Sequence, residues 1–157
     1  MQYRVFKFGG TSLGSPEALQ KVLAIVTAAG PGLLVVVSAC SSVTDNLYQL
    51  HRSSVHSENE SIAGLLKAFE ERHLELVQGL FPASTRRSAL EAIIKRSADE
   101  LSRISQSLAI LAEDTPRTLS KTVCFGERLM AAIVTEALRE YGVESQLVDS
   151  TRIIKLS

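Results

Sequence analysis

The sequence predicts an α/β fold, a parallel sheet with an enlarged helical flank. Three observations carry this. The β-rich hexapeptide Tyr3-Arg4-Val5-Phe6-Lys7-Phe8 breaks at Gly9-Gly10, the aliphatic run Leu33 to Val37 returns one helix later, and beyond Ser38 the apolar spacing is helical for a long stretch.

Taken in order, Tyr3 to Phe8 alternates and reads as a first strand. Ser15-Pro16-Glu17 then supplies an N-cap, a proline at the first helical position and an early acid. Leu19, Val22, Leu23, Ile25 and Val26 form a helical apolar face that ends near Gly30-Pro31-Gly32. Leu33 to Val37 has no polar member, as expected of a strand covered on both faces in a parallel sheet. Strand, glycine turn, helix and strand make a βαβ unit, whose crossover is expected to be right-handed.

A helix is expected from near Val43, and another from Glu60 to Gly79, broken at Phe81-Pro82-Ala83-Ser84 with Ser84 as the next N-cap. Leu90, Ile94, Ser97, Leu101, Ile104, Leu108 and Leu111 alternate spacings of four and three, a seam with one polar member. An antiparallel helical hairpin packed on its own domain accounts for it, and a dedicated partner-binding coil is the alternative. Thr115-Pro116 ends that helix. A last helix is expected from about Thr118 to Tyr141, stopped by Gly142, with Val143 to Val148 as a third strand.

Composition narrows the function classes. Of 157 residues, Lys+Arg and Asp+Glu number 17 each, so no bulk charge recruits nucleic acid or an anionic membrane. Any phosphate binding must come from a local site. The longest apolar run, Leu33 to Val37, is too short to cross a bilayer, and the N-terminus does not read as a signal peptide. Cys40 and Cys124 lack metal or redox spacing and read as reduced, partly buried thiols of a cytoplasmic protein. His51, His56 and His73 read as surface groups, and no metal site is expected.

In an open parallel sheet, ligands bind beyond the carboxyl ends of the strands. Polar clusters fall there at Lys7 to Ser12, Ser38 to Asn46 and Asp149 to Arg152, with a fourth at Phe125 to Arg128. Paired glycines let phosphate oxygens approach backbone N–H groups, the helix that follows could aim its positive end at the same anion, and Lys7 would add a mobile positive charge. From spacing alone, Lys7 as an exposed strand residue and Gly9-Gly10 as a simple turn fit equally well. G-x-x-x-x-G-K-[ST] is absent, so this is not a Walker A loop.

Lys7-Phe8-Gly9-Gly10-Thr11-Ser12 resembles the K-F-G-G-T-S signature that opens aspartate kinases. Val36 to Leu47 is similar to that family's second block, V-V-S-A-x-x-x-V-T-[DN]-x-L, and Phe125-Gly126-Glu127-Arg128-Leu129 to its third, [FY]-G-E-x-[LM]. The blocks stand in the family's order and span essentially the whole chain. The resemblance implies an amino-acid-kinase-like parallel-sheet sandwich, its N-terminal half, with a long helical insertion at about 58–114. It implies phosphorylation of the L-aspartate β-carboxylate by ATP, with Mg2+ as the nucleotide's companion, as the first step towards lysine, threonine and methionine. It also implies a homo-oligomer.

Carried over position by position, Lys7 would be catalytic and contact the nucleotide phosphates. Gly9, Gly10 and Ser12 would line the phosphate path, Ser38 would fix geometry near the transfer site, Thr44 would bond the substrate amino acid, and Glu127 would hold its α-ammonium. Without the resemblance, Ser38 and Thr44 read equally well as helix caps, and Glu127 as a solvated helix residue.

Two departures from the family pattern stand out. Ser41-Ser42 occupies a position where glycines are common, which stiffens the loop, and Asp149-Ser150-Thr151-Arg152 does not reproduce the family's Asp-x-Arg. The resemblance implies that these 157 residues hold neither the family's nucleotide-binding half nor its regulatory domains. The expectation is therefore a chain inactive alone, with an exposed sheet edge and apolar surface that favour association. The alternatives are another carboxylate kinase of the superfamily, which would lack the Thr-Ser continuation and the V-T-D-N-L run, and a non-catalytic module of the same ancestry.

Overall fold

The structure, a computed structural model, describes residues 4–82, 85–150 and 153. Strand β1 (Arg4–Phe8) pairs in parallel with β2 (Leu33–Val37), Arg4 opposite Leu33 through to Phe8 opposite Val37. Between them run a 3-10 turn, Gly10–Leu13, and helix α1 (Pro16–Ala29). The expected start of α1 is present, with the Ser15 side chain accepting from the Ala18 N–H and proline in the first turn. Gly30 closes the helix at a φ of 73°, where a side chain would be strained.

The register sorts the sheet into two faces. Phe6, Phe8, Leu33, Val35 and Val37 are partly covered, on the face that packs against α1 and α6 (Phe125–Glu140). Val5, Leu34 and Val36 on the other face are 62%, 50% and 43% exposed. The expectation of a β2 covered on both faces is therefore corrected. Its aliphatic composition is present, but among the described residues only one helical layer lies against it.

Helix α2 (Val43–Val55) leads into the pair α3 (Asn59–Leu80) and α4 (Thr85–Leu111), which pack on each other, while α4 also meets α2 and α6. The seam buries Leu90, Ile94 and Leu101 in a core that includes Phe69, Leu76 and Val77, and Leu108 is buried further along it. Its polar member is accommodated because the Ser97 hydroxyl donates to the Ile93 carbonyl one turn back, at 3.0 Å. Leu111, at the end of the seam, is exposed. Ser84, the expected cap of α4, lies outside the described residues.

Three further expectations are corrected. The single helix from 118 to 141 is two, α5 (Pro116–Val123) and α6, parted at Cys124. A reciprocal Thr115–Thr118 capping box starts α5 earlier than the apolar spacing indicated. The segment 143–148 is not assigned as a strand. It leaves α6 with the Val143 N–H bonded to the Leu138 carbonyl and is held by Arg139 donating to the Ser145 carbonyl, so its backbone is spent on α6 rather than on a ladder. Finally, His51 and His73 are not surface groups: both are buried, and only His56 is exposed.

Candidate functional site

The chain ends of β1 and β2 lie side by side, and the Ser38 N–H bonds to the Phe8 carbonyl at 3.1 Å, which carries the pairing one residue past β2. The Gly9–Leu13 turn and the 38–42 loop therefore leave the sheet together. They are then tied directly. The Ser41 hydroxyl donates to the Gly10 carbonyl at 2.9 Å, and a Cβ on Gly10 would stand 2.9 Å from the Ala39 carbonyl oxygen. Gly10 is glycine because the neighbouring backbone leaves no room for a side chain.

The start of α6 joins the same cluster. A Cβ built on Gly126 would lie 2.7 Å from the Ala39 Cβ and 3.1 Å from Val43 Cγ1. A glycine facing an alanine lets the first turn of α6 press onto the 38–43 loop and α2. Phe125 and Leu129, on either side of Gly126, are buried, so the residue between them in the motif, Glu127, is delivered at the rim, half-buried. Glu127 lines an open depression with Tyr48, Leu119, Ser120, Val123 and Cys124. Tyr48 is one helical turn after Thr44 on α2, so the depression continues the surface that starts at Thr44.

Each proposed site residue can thus be placed. Gly9 and Gly10 form the turn, and Ser12 is exposed within it, its N–H bonded to the Gly9 carbonyl at 3.0 Å. Lys7 is exposed on the uncovered sheet face opposite Val36. Ser38 and Thr44 are half-buried at the end of β2 and in the first turn of α2. The N-cap position of α2 belongs to Ser42, so neither Ser38 nor Thr44 fills the capping place that was their alternative.

One local expectation is corrected. Helix α1 does not present a free positive end next to the glycines: the 3-10 turn intervenes, Ser15 takes the Ala18 N–H, Pro16 has no N–H, and Glu17 sits in the first turn. The Ser15 side chain holds the Glu17 carboxyl below its ordinary range, so a carboxylate already occupies that end. The helical start nearest the paired glycines is that of the 3-10 turn itself.

The cysteines flank the site as thiols. Burial pushes Cys40 up against the lowering influence of Arg72, and burial pushes Cys124 up against that of Arg128. Arg128 is exposed, its guanidinium 5.4 Å over the Phe125 ring.

Two contributors were missed from the sequence. Arg72 of α3 donates to the Gly14 carbonyl and lies against Cys40. It follows Phe69 by three positions and precedes Leu76 by four, so the spacing already placed it on the buried face of α3. His51 of α2 bonds Asp114 through Nε2 at 3.1 Å and Thr122 through Nδ1 at 3.4 Å, which fastens α5 to α2 just before Cys124. No local pattern marks that link, because its partners lie 63 and 71 positions away.

A sequence model of the amino acid kinase family matches residues 2–156. The chain belongs to that family. An aspartokinase of Candida albicans is 29% identical over 161 residues, covering 98% of this chain and 29% of the relative. One from Chlamydia pneumoniae is 36% identical over 124 residues, covering 76% and 27%. The amino acid kinase fold is shared with E. coli aspartokinase III in complex with aspartate and ADP, at a TM-score of 0.80 and 24% identity over 92% of this chain and 30% of that one. The chain therefore spans less than a third of the length of these relatives.

Proposed function

We propose that this amino acid kinase chain forms the substrate and phosphate-entry half of the catalytic domain of an aspartate kinase, which transfers the γ-phosphoryl group of MgATP to the β-carboxylate of L-aspartate. The observation that carries this reading is the meeting of three separated segments at one end of the sheet, Gly10 against Ser41 and Gly126 against Ala39. Each holds one of the motifs that resemble the family's.

On this reading Glu127 receives the α-ammonium in a charge-assisted pair, and Thr44 bonds the same amino acid from the first turn of α2. Ser38 fixes the loop between them. Gly9, Gly10 and Ser12 leave backbone and hydroxyl donors beside the incoming phosphates, and Lys7 brings a mobile positive charge to the transferring group. The aspartate carboxylate is ionised at neutral pH and needs no strong base, so the protein's task is to place two anions in line and offset their repulsion. The 157 residues by themselves are expected to turn over no ATP, since they correspond to less than a third of the relatives' length.

Calorimetric titration of the purified chain with L-aspartate, beside its Glu127→Ala variant, tests the reading. Binding that weakens by at least tenfold in the variant supports it. Equal affinity removes the ammonium-holding role, and aspartate-dependent ATP turnover by the 157-residue chain would overturn the proposed division of labour.

A further inference from the structure

The glycine turn is held from three sides, and one of the three is the helical hairpin. Leu13, its last residue, is completely buried, so the turn cannot swing without withdrawing an apolar side chain. Ser41 binds its first carbonyl, at Gly10, and its Oγ stands where a Cβ on Gly14 would come within 2.6 Å. The Gly14 carbonyl, at the joint between the 3-10 turn and α1, accepts from the Arg72 guanidinium. Two turns further along α3, a Cβ on Gly79 would lie 2.4 Å from the Pro16 ring, so α3 also bears on the first residue of α1.

We propose that Arg72 is a positioning residue for the phosphate turn: carried by α3, it fixes the joint at Gly14 and thereby the angle between the turn's N–H groups and α1. Carbonyls at the end of a helical turn have no partner within the turn, so an outside donor there sets the geometry. Arginine suits the place because a planar fork can serve the Gly14 carbonyl and the Cys40 side chain together, which a lysine ammonium reaches less rigidly. Its acidic neighbour Glu75 is 3.8 Å away and exposed, a weak competitor for the guanidinium. The hairpin is on this view a brace for the site as well as an added domain layer. The identity of the anion rests on the aspartate-kinase reading; the bracing of the turn does not.

Amide hydrogen exchange on the 157-residue chain, on Arg72→Ala and on Arg72→Lys, tests the brace, with MgATP titration as a second measurement. Loss of a charged hydrogen bond in Arg72→Ala should speed exchange at residues 10–14 by roughly tenfold while α4 amides hold their rates, with partial recovery in Arg72→Lys. MgATP affinity should fall by about fivefold or more in Arg72→Ala, with aspartate affinity kept. Unchanged exchange at 10–14, or equal acceleration throughout α4, overturns the proposal. So does unchanged MgATP affinity in the face of a loosened turn. If the unaltered chain binds no MgATP, the exchange rates alone decide whether Arg72 braces the turn, and the kinase reading is left to the aspartate titration.

Discussion

The Ser41 hydroxyl donates to the Gly10 carbonyl at 2.9 Å, so the loop after one strand is latched to the turn after its neighbour. Removing the donor in Ser41→Ala leaves the part-buried Gly10 carbonyl with only its partner inside the 3-10 turn and should cost about 1 kcal/mol. Urea unfolding would show it as a lower midpoint at unchanged slope. An unchanged midpoint would mean that solvent replaces the latch at no cost.

The next residue gives the opposite sign. Ser42 holds a φ of 68°, a left-handed conformation that L side chains adopt at a cost, and it is exposed with no side-chain cap bond. Ser42→Gly should therefore raise stability by about 0.5–1 kcal/mol, the relief of strain exceeding the added freedom of the unfolded chain. A lower melting temperature for this variant would refute the strain. The Ser41-Ser42 pair is thus a latch followed by a strained residue, rather than a uniformly stiffer loop.

Gly126→Ala tests the junction between α6 and the 38–43 loop. The new methyl would stand 2.7 Å from the Ala39 Cβ, a distance that forces the helix start away from the loop. Overpacking of this kind costs about 1–3 kcal/mol, and it should weaken aspartate binding through displacement of Glu127. The double variant with Ala39→Gly should recover part of both losses, since it removes the opposing methyl. Loss of stability without loss of binding would detach the junction from the site.

What was legible in the sequence was local. The Ser15-Pro16 start of α1, the Leu33 to Val37 strand and the motif residues themselves depend on neighbours a few positions apart, and their patterns are strong. The failures follow from what periodicity omits. It does not say whether a second layer covers Val5, Leu34 and Val36, whether segment 143–148 finds a ladder, or that His51 meets partners far along the chain, whereas His73, four after Phe69 and four before Val77, stood on the apolar face of α3 and was misread. Gly10 and Gly126 were legible as motif members, but the reason for each, a close contact with Ala39, depends on the tertiary fold.

The uncovered sheet face should make the chain self-associate. Val5, Leu34 and Val36 form a contiguous apolar surface on paired strands, interrupted only by Lys7. Sedimentation velocity at rising concentration should show reversible association, reduced in a Leu34→Thr, Val36→Thr double variant that keeps β-forming residues on the strand. Monodisperse monomer at high concentration would show that the face is tolerated bare.

His73 should make stability fall in mild acid. Its Nδ1 donates to the Phe69 carbonyl at 2.7 Å, while Nε2 is buried without a partner. Burial is the main cause holding its pKa down to about 4 from an ordinary 6.5, with the nearby Arg72 charge adding to the effect against the Phe69 bond. Between these values the unfolded chain binds a proton that the folded chain refuses. The neutral histidine thus contributes its full stability above pH 6.5 and loses it as the pH falls towards 4, by about 2 kcal/mol at pH 5. In His73→Leu the Phe69 carbonyl keeps its helical N–H partner and the charge penalty disappears. Urea midpoints at pH 7.5 and pH 5 should separate for the unaltered chain and draw together in the variant. Equal drops in both would show that His73 does not sense the change, and that other groups produce the acid sensitivity.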